Sequence, residues 1–291
     1  MIPFRNSITL TTLILISSTL DARNIKVAGS DYIPPILMEA LQEFAASEGD
    51  ELEFSMGGSL LAFRSFYEGN ADIILVAMPN KTPEDLDFPV FPIGFQTGVI
   101  VVHRDNPIKS LTRRQIGGIY GSLTENAIAR WSQLGAVGAL TNRNIQPGYA
   151  NSGSSPILDL FSARFLENNP IRQNIQEFDS TIQLEAFISN NNAAIGIMDV
   201  LPLSTDLKAI QIQSEDQSVS FGPTLENVNY GDYPLTLEYY VCVPRSQIRF
   251  LSGYVDFLLS DSAAAILQEE GFYPILRSRR LQLANELPQS E

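Results

Sequence analysis

Apolar strand-like runs that stop at a Ser/Gly turn and give way to a helical pattern constrain this chain more than any other feature. Ile25 to Ala28 reads as a buried strand and Gly29-Ser30-Asp31 as its turn. Pro34-Pro35 then opens a helix with apolar residues at Ile36, Leu37, Ala40, Leu41 and Phe44. Gly49-Asp50 breaks that helix, Glu51 to Ser55 alternates as a strand, and Gly57-Gly58-Ser59 turns. Leu60 to Tyr67 forms a second helix ended by Gly69, and Ala71 to Ala77 a third strand. Alternation at this spacing predicts an α/β fold with a largely parallel, buried sheet.

A second α/β region begins near Asn106-Pro107, after a further apolar strand at Gly98 to Val102. Its expected elements are helices at Leu111 to Ile119, Ile157 to Leu166 and Ile182 to Ile188, with core at Ile145 and a strand at Ala194 to Met198. Residues 204–233 are polar and read as an irregular surface excursion closed by Tyr233-Pro234. A strand at Leu235 to Val243 and one helix from Phe250 to Leu267 follow.

A third Ser/Gly segment, Ser152-Gly153-Ser154, stands before the helix at Ile157, and none of the three carries a lysine or arginine. The first N–H groups of a helix lack intrahelical partners and hold the positive end of its dipole, so small hydroxylated residues there let an oxyanion approach. Each segment alone is equally an ordinary turn or N-cap. Their meaning rests on whether the fold brings them together.

The chain has 291 residues and a formal net charge of −14, which argues against nucleic acid and anionic membrane surfaces as partners. Screening over about 8 Å at physiological salt still leaves a local anion pocket largely independent of distant carboxylates. Arg5, the apolar stretch Ile8 to Ile16 and Leu20-Asp21-Ala22 read as an export signal over residues 1–22, with a mature chain from near Arg23 and an uncleaved anchor as the alternative. A secreted, periplasmic protein is expected. Cys242, the only cysteine, has no disulfide partner and lies in the strand-like Tyr239 to Val243, where it reads as a small buried hydrophobe.

His103 is the sole histidine, at a strand end, and no nucleophile elbow, P-loop or dinucleotide fingerprint occurs. No catalytic residue is assigned. One histidine and one cysteine cannot make a usual zinc set, and no calcium-loop spacing is present, so no metal or cofactor is expected. Arg277, Arg279 and Arg280 read as a solvated helix end.

The segment Val99 to Thr112, with Asn106-Pro107 at its centre, then Gln115-Ile116, Ile119 to Ser122 and Trp131 to Gly135, resembles the phosphate-binding periplasmic proteins of ABC transporters. Supporting matches are Gly29-Ser30 with Pro34, Gly69 to Ile73, Ser152 to Ser154 before Phe161, Ala194 to Gly196, Tyr233 to Leu235 and Gly271 to Pro274. The resemblance implies a two-lobed, hinged solute-binding fold with two crossovers. Lobe 1 would comprise residues 23–98 and 237–291, and lobe 2 residues 99–236. It also places Trp131 away from the cleft, as a core or partner-facing residue. The implied ligand site comprises Ser30, Asp31, Tyr32, Gly58, Ser59, Tyr149, Ser152, Gly153 and Ser154. The implied partners are inorganic phosphate or a related oxyanion and the subunits of an ABC permease. No dimer seam is announced, so a monomer is expected.

Departures from the family pattern qualify the ligand. The first turn has Asp31 where a hydroxyl residue is common; its carboxylate can accept a hydrogen bond from a protonated phosphate, or cap the helix at Pro34. Leu60, Leu61 and Ala62 replace flexible glycines, and Ala77-Met78 replaces a polar pair. Gly148 to Asn151 lacks the family's arginine, leaving Tyr149 as a neutral donor in place of a bidentate fork. The rival reading is a sensory or structural binding-protein-like domain that has lost efficient phosphate binding.

Overall fold

The computed structural model describes residues 22–78, 86–122, 127–151, 153, 156–213 and 219–288. The proposed signal residues 1–21, and Ser152 and Ser154, lie outside the described residues. The chain opens with β1 (Asn24–Gly29), α1 (Pro35–Ser47), β2 (Glu51–Ser55), α2 (Ser59–Tyr67), β3 (Ile73–Ala77) and β4 (Val90–Thr97). It continues with β5 (Val99–His103), β6 (Ser110–Thr112), α3 (Arg113–Tyr120), β7 (Gln146–Ala150), α4 (Ile157–Phe165), β8 (Gln176–Phe178), α5 (Thr181–Ser189) and β9 (Ala194–Met198). Then come β10 (Leu207–Ala209), β11 (Gln211–Gln213), β12 (Ser220–Phe221), α6 (Leu225–Asn229) and β13 (Thr236–Cys242). The described chain closes with α7 (Ile248–Leu258), α8 (Asp261–Glu269), β14 (Tyr273–Pro274) and α9 (Arg277–Glu286).

Two sheets organise these elements. The first has the order β14-β4-β13-β3-β1-β2, and the second β10-β5-β9-β7-β8; β12, β11 and β6 make a small third sheet. β1 runs parallel to both β2 and β3, with Val27 opposite Phe54 on one side and Ile73 on the other. The helices α1 and α2 are the crossovers that make this parallel pairing feasible. Beyond β3 the sheet departs from the parallel expectation: β13 is antiparallel to β3 and β4, and β14 antiparallel to β4. The reason is topological, because β13 enters from the second sheet rather than through a helical crossover beside β3.

The chain crosses between the sheets twice, between β4 and β5 and again just before β13. The crossings are tied together: the Gly98 N–H donates to Leu235 O at 2.9 Å, and the Tyr233 hydroxyl donates to Gly98 O at 2.9 Å. A Cβ on Gly98 would lie 2.4 Å from Leu235 Cδ2 and 2.7 Å from Ile157 Cγ2, so this approach needs glycine.

Leu37, Leu41 and Ala45 of α1 are buried with Leu251, Val255 and Leu258 of α7 in the main core, each large side chain contributing about 1.5–3 kcal/mol. Ala62 on α2 packs the opposite sheet face with Ile74, Val76, Tyr240 and Cys242. There burial pushes the Cys242 thiol up to about 12. Trp131 is fully buried, its indole N–H donating to Ala193 O at 2.9 Å.

Four further expectations change. Residues 204–233 contain β10, β11, β12 and α6 rather than an irregular excursion, and Tyr273 and Asn229 bond this segment to the opposite body through Pro223 O and Pro274 O. The helix expected from Phe250 to Leu267 is two, because Ser260 accepts from Ala263 N–H and starts α8 afresh. Leu111 is the middle residue of a short strand before α3 instead of beginning the helix. Arg280 is buried rather than solvated, donating to Ile275 O, Leu259 O and Asp261.

Candidate functional site

The first two Ser/Gly turns follow the carboxyl ends of β1 and β2, next to the end of β3, because three parallel strands deliver their following turns to one edge of the sheet. Ser30, Asp31, Tyr32, Gly58, Ser59 and Ala77 form one wall of a cleft of about 550 Å3, with Leu237 of β13 also lining it. The opposite wall is α4. Its Pro156, Asp159, Leu160, Ala163 and Arg164 recur at helical spacing, and Asn168 extends the wall.

Both serine hydroxyls on the first wall have one oxygen lone pair engaged. Ser30 Oγ accepts from the Tyr32 N–H at 3.2 Å, and Ser59 Oγ from the Ala77 N–H at 2.9 Å. A hydroxyl oxygen that accepts from an amide keeps its own O–H available as a donor. Gly58 is the N-cap of α2, with φ 110° and ψ 153° and no side-chain cap. Ser59, Leu60 and Leu61 therefore form the uncapped first turn, whose N–H groups carry the positive end of the helix dipole. By contrast, Pro34 is the N-cap of α1 and Pro35 its first residue, so two amide donors are missing there.

Asp31 does not cap α1, whose N-cap makes no side-chain hydrogen bond. Its Oδ1 instead lies 4.0 Å from where a Cβ on Gly58 would sit, so the carboxylate stands beside the start of α2. The Tyr32 hydroxyl senses both walls: burial raises its pKa, and the charges of Asp31 and Asp159 raise it further.

The structure does not bring every expected residue to this cleft. Tyr149 is not among the lining residues; its hydroxyl donates to Glu177 Oε2 at 3.0 Å, and burial together with Glu177 raises its pKa. Gly153 is exposed with φ 69° and is not among the lining residues either. Ser152 and Ser154 cannot be placed, being outside the described residues. His103 closes β5, with its Nδ1 accepting from the Asp105 N–H at 3.2 Å. Among the described residues no group of three or more His, Cys, Asp or Glu side chains could hold a metal ion.

Sequence reasoning missed Asp159, Arg164, Asn168 and Leu237. The periodicity of α4 was a usable signal, since residues 156, 160 and 163 share a face with 159 and 164 beside it. Arg164 Nη1 donates to Pro234 O at 2.6 Å, at the second crossing. Burial, and then the like charge of Arg113, push the Arg164 pKa down from its ordinary value. Past α4 the chain takes two consecutive non-glycine left-handed residues, Glu167 with φ 52° and Asn168 with φ 63°. That conformation costs about 1–2 kcal/mol per residue and turns Asn168 into the cleft wall.

Comparison with known proteins yields a consistent family. A family model for the PBP superfamily domain matches residues 17–262. The phosphate-binding protein PstS of Pseudomonas aeruginosa is 21% identical over 272 residues, 87% of this chain and 83% of that protein. The crystal structure of PstS from Borrelia burgdorferi superposes with a TM-score of 0.70 at 17% identity, over 87% of this chain and 99% of that one. An ABC-type phosphate transport receptor from Vibrio cholerae superposes with a TM-score of 0.62 at 22% identity, over 85% of this chain and 98% of that one.

Proposed function

The chain belongs to the PBP superfamily, and from that premise we propose that it is an exported solute-binding protein that captures phosphate or a related oxyanion in its cleft and delivers it to an ABC permease. The observation that carries this reading is the convergence of Ser30, Gly58 and Ser59 on one wall of one cleft, beside the uncapped first turn of α2. Two hydroxyl donors and a helix N-terminus can hold an oxyanion without a full charge partner. The names of the similar proteins in P. aeruginosa and V. cholerae support phosphate as the ligand and an ABC transporter as the recipient.

In this reading residues 1–22 direct export, residues 23–98 and 237–291 form one lobe, and residues 99–236 form the other. The lobes close on the anion because it bonds both walls only when they approach, giving the closed state a higher affinity. Asp31 selects a protonated oxyanion: it accepts the hydrogen of a phosphate hydroxyl, which sulfate lacks at neutral pH. The chain acts as a monomeric binding protein with no catalytic step.

The alternative, a sensory or structural domain that no longer captures phosphate efficiently, draws on the apolar end of β3 and on Asp31 and Asp159 facing the same cleft. Thermal unfolding of residues 23–291, stripped of ligand by partial unfolding and refolding, separates the two. A ligand at 100 times its Kd adds about 2.7 kcal/mol, equivalent to roughly 5–10 °C for a chain of this size. A rise with phosphate and not with sulfate supports capture and the role of Asp31. No rise with phosphate, sulfate or molybdate supports the alternative.

A further inference from the structure

We propose that Asp159 is a second hydrogen-accepting residue of the ligand site, which together with Asp31 restricts the cleft to dihydrogen phosphate, the monoanion that bears two hydroxyls. The inference rests on the oxyanion reading of the cleft and names the protonation state that it takes. The two carboxylates come from opposite walls, Asp31 from the turn after β1 and Asp159 from the first turn of α4. Both are exposed, and among the described residues neither is held by a hydrogen bond or an ion pair. The Tyr32 phenol lies in the field of both: after burial, Asp31 and then Asp159 raise its pKa. The two charges therefore address one region of the cleft rather than separate surfaces.

Two carboxylates that approach each other around a bare oxyanion repel it and one another. The same lining becomes complementary once the anion carries hydrogens. Dihydrogen phosphate has two bare oxygens, which only accept, and two hydroxyls, which can donate. The first wall serves the bare oxygens. Ser30, only 2% exposed, lines the cleft with a hydroxyl that donates to no described residue, Ser59 does likewise, and the first turn of α2 adds N–H groups. Asp31 and Asp159 then offer one acceptor to each hydroxyl. Monohydrogen phosphate satisfies one carboxylate and leaves the other against a bare oxygen; sulfate satisfies neither. Asp159 also complements the dipole of its own helix from the first turn, a role indifferent to the protonation of a ligand. The other charged or titratable groups of the described lining are Tyr32 and Arg164, and on β13 burial, then Tyr32 and Asp31, raise the pKa of Tyr239. Carboxyl, phenol and guanidinium groups ordinarily titrate far from neutral pH, and His103 is not among the lining residues. The pH dependence of binding near neutrality thus belongs to the phosphate.

The test is calorimetric titration of phosphate into the ligand-stripped wild-type chain, D159N and D159E, below and above the second ionisation of phosphate. Buffers of different ionisation enthalpy count the protons taken up on binding, and thermal scans give the unfolding midpoints of the ligand-free proteins. Above that ionisation the wild type should take up about one proton per phosphate bound, and its affinity for total phosphate should fall about tenfold per pH unit. In D159N the amide donates to a bare oxygen, so monohydrogen phosphate binds, proton uptake drops toward zero and the fall with pH flattens. D159E keeps the carboxylate and the uptake. A D159N protein with a lowered midpoint and the wild-type proton uptake overturns the assignment and leaves Asp159 as a partner of the α4 dipole. Wild-type binding without proton uptake overturns it as well. Should D159N not fold, D159A is read in the same way. A wild-type chain that binds no oxyanion at any pH is a different failure: the proposed function falls, and this inference with it.

Discussion

Replacing Ser59 with alanine separates the two jobs that its hydroxyl is proposed to perform. In the ligand-free protein Ser59 Oγ accepts from the Ala77 N–H at 2.9 Å, fastening the start of α2 to the end of β3. Gly58, not Ser59, is the N-cap, so the substitution removes no cap and alanine is a slightly better helix former at this position. The structural loss is therefore one part-buried amide left without its partner, about 1 kcal/mol, which lowers the unfolding midpoint by roughly 2–4 °C. The ligand loss is larger. A hydrogen bond to a charged group contributes about 1.5–3 kcal/mol, so Ser59→Ala weakens phosphate binding by about ten- to a hundredfold. Calorimetric titration beside a thermal scan reads both quantities, and Ser59→Thr restores both because it keeps the hydroxyl. A Ser59→Ala protein with a lowered midpoint and unchanged phosphate affinity refutes the ligand role and leaves Ser59 as a fastener of β3.

At the first crossing, Gly98→Ala drives a methyl group into Leu235 and Ile157, at 2.4 Å and 2.7 Å from their nearest atoms. The overpacking costs about 1–3 kcal/mol, and an unchanged midpoint in a thermal scan contradicts the tight crossing. Asp50 is buried and accepts from Arg23 at 2.7 Å and 2.6 Å and from the Tyr254 hydroxyl at 2.6 Å. These bonds, chiefly that with Arg23, lower its pKa. Its contribution is thus fully present above the unfolded carboxyl value of about 4 and disappears as pH falls through the lower folded value. Asp50→Asn is expected to be about 1–3 kcal/mol less stable at pH 7, moderated because Arg23 is half-exposed. The gap to wild type closes in unfolding curves taken toward pH 2, and a gap independent of pH contradicts the linkage. Asp31→Ala is expected to narrow the preference for phosphate over sulfate in competition titrations; an unchanged ratio removes Asp31 from selectivity.

The sequence exposed the first lobe's frame because its signals are local. Apolar runs at Ile25 and Ile73, the alternation of Glu51 to Ser55 and the Gly-Ser turns each report a nearby backbone choice, and β1, α1, β2, α2 and β3 appear where those signals stand. Long-range events were not legible. β13 pairs with β3 and β4 across more than a hundred residues of intervening chain, so nothing beside it announces that it reverses the sheet's parallel run. The polar composition of residues 204–233 concealed short strands whose pairing partners lie in β5 and β6. At the site, Ser30, Asp31, Gly58 and Ser59 were readable as turn chemistry, Tyr32 came only with the family resemblance, and all five line the cleft. Arg164 was not readable, because its significance arises only when α4 is laid along the cleft and its guanidinium reaches Pro234. Tyr149 shows the converse. Its position in sequence resembled a ligand donor, but strand pairing of β7 with β8 sets its hydroxyl against Glu177.

The most direct measurement of the central claim is isothermal titration of ligand-stripped residues 23–291 with phosphate, followed by sulfate and molybdate as competitors. Capture between the cleft walls predicts saturable binding of one phosphate per chain, with Ser59→Ala weakening it and leaving the stoichiometry intact. Absence of saturable heat with all three oxyanions, in a chain that unfolds cooperatively, contradicts the account and supports the sensory or structural alternative.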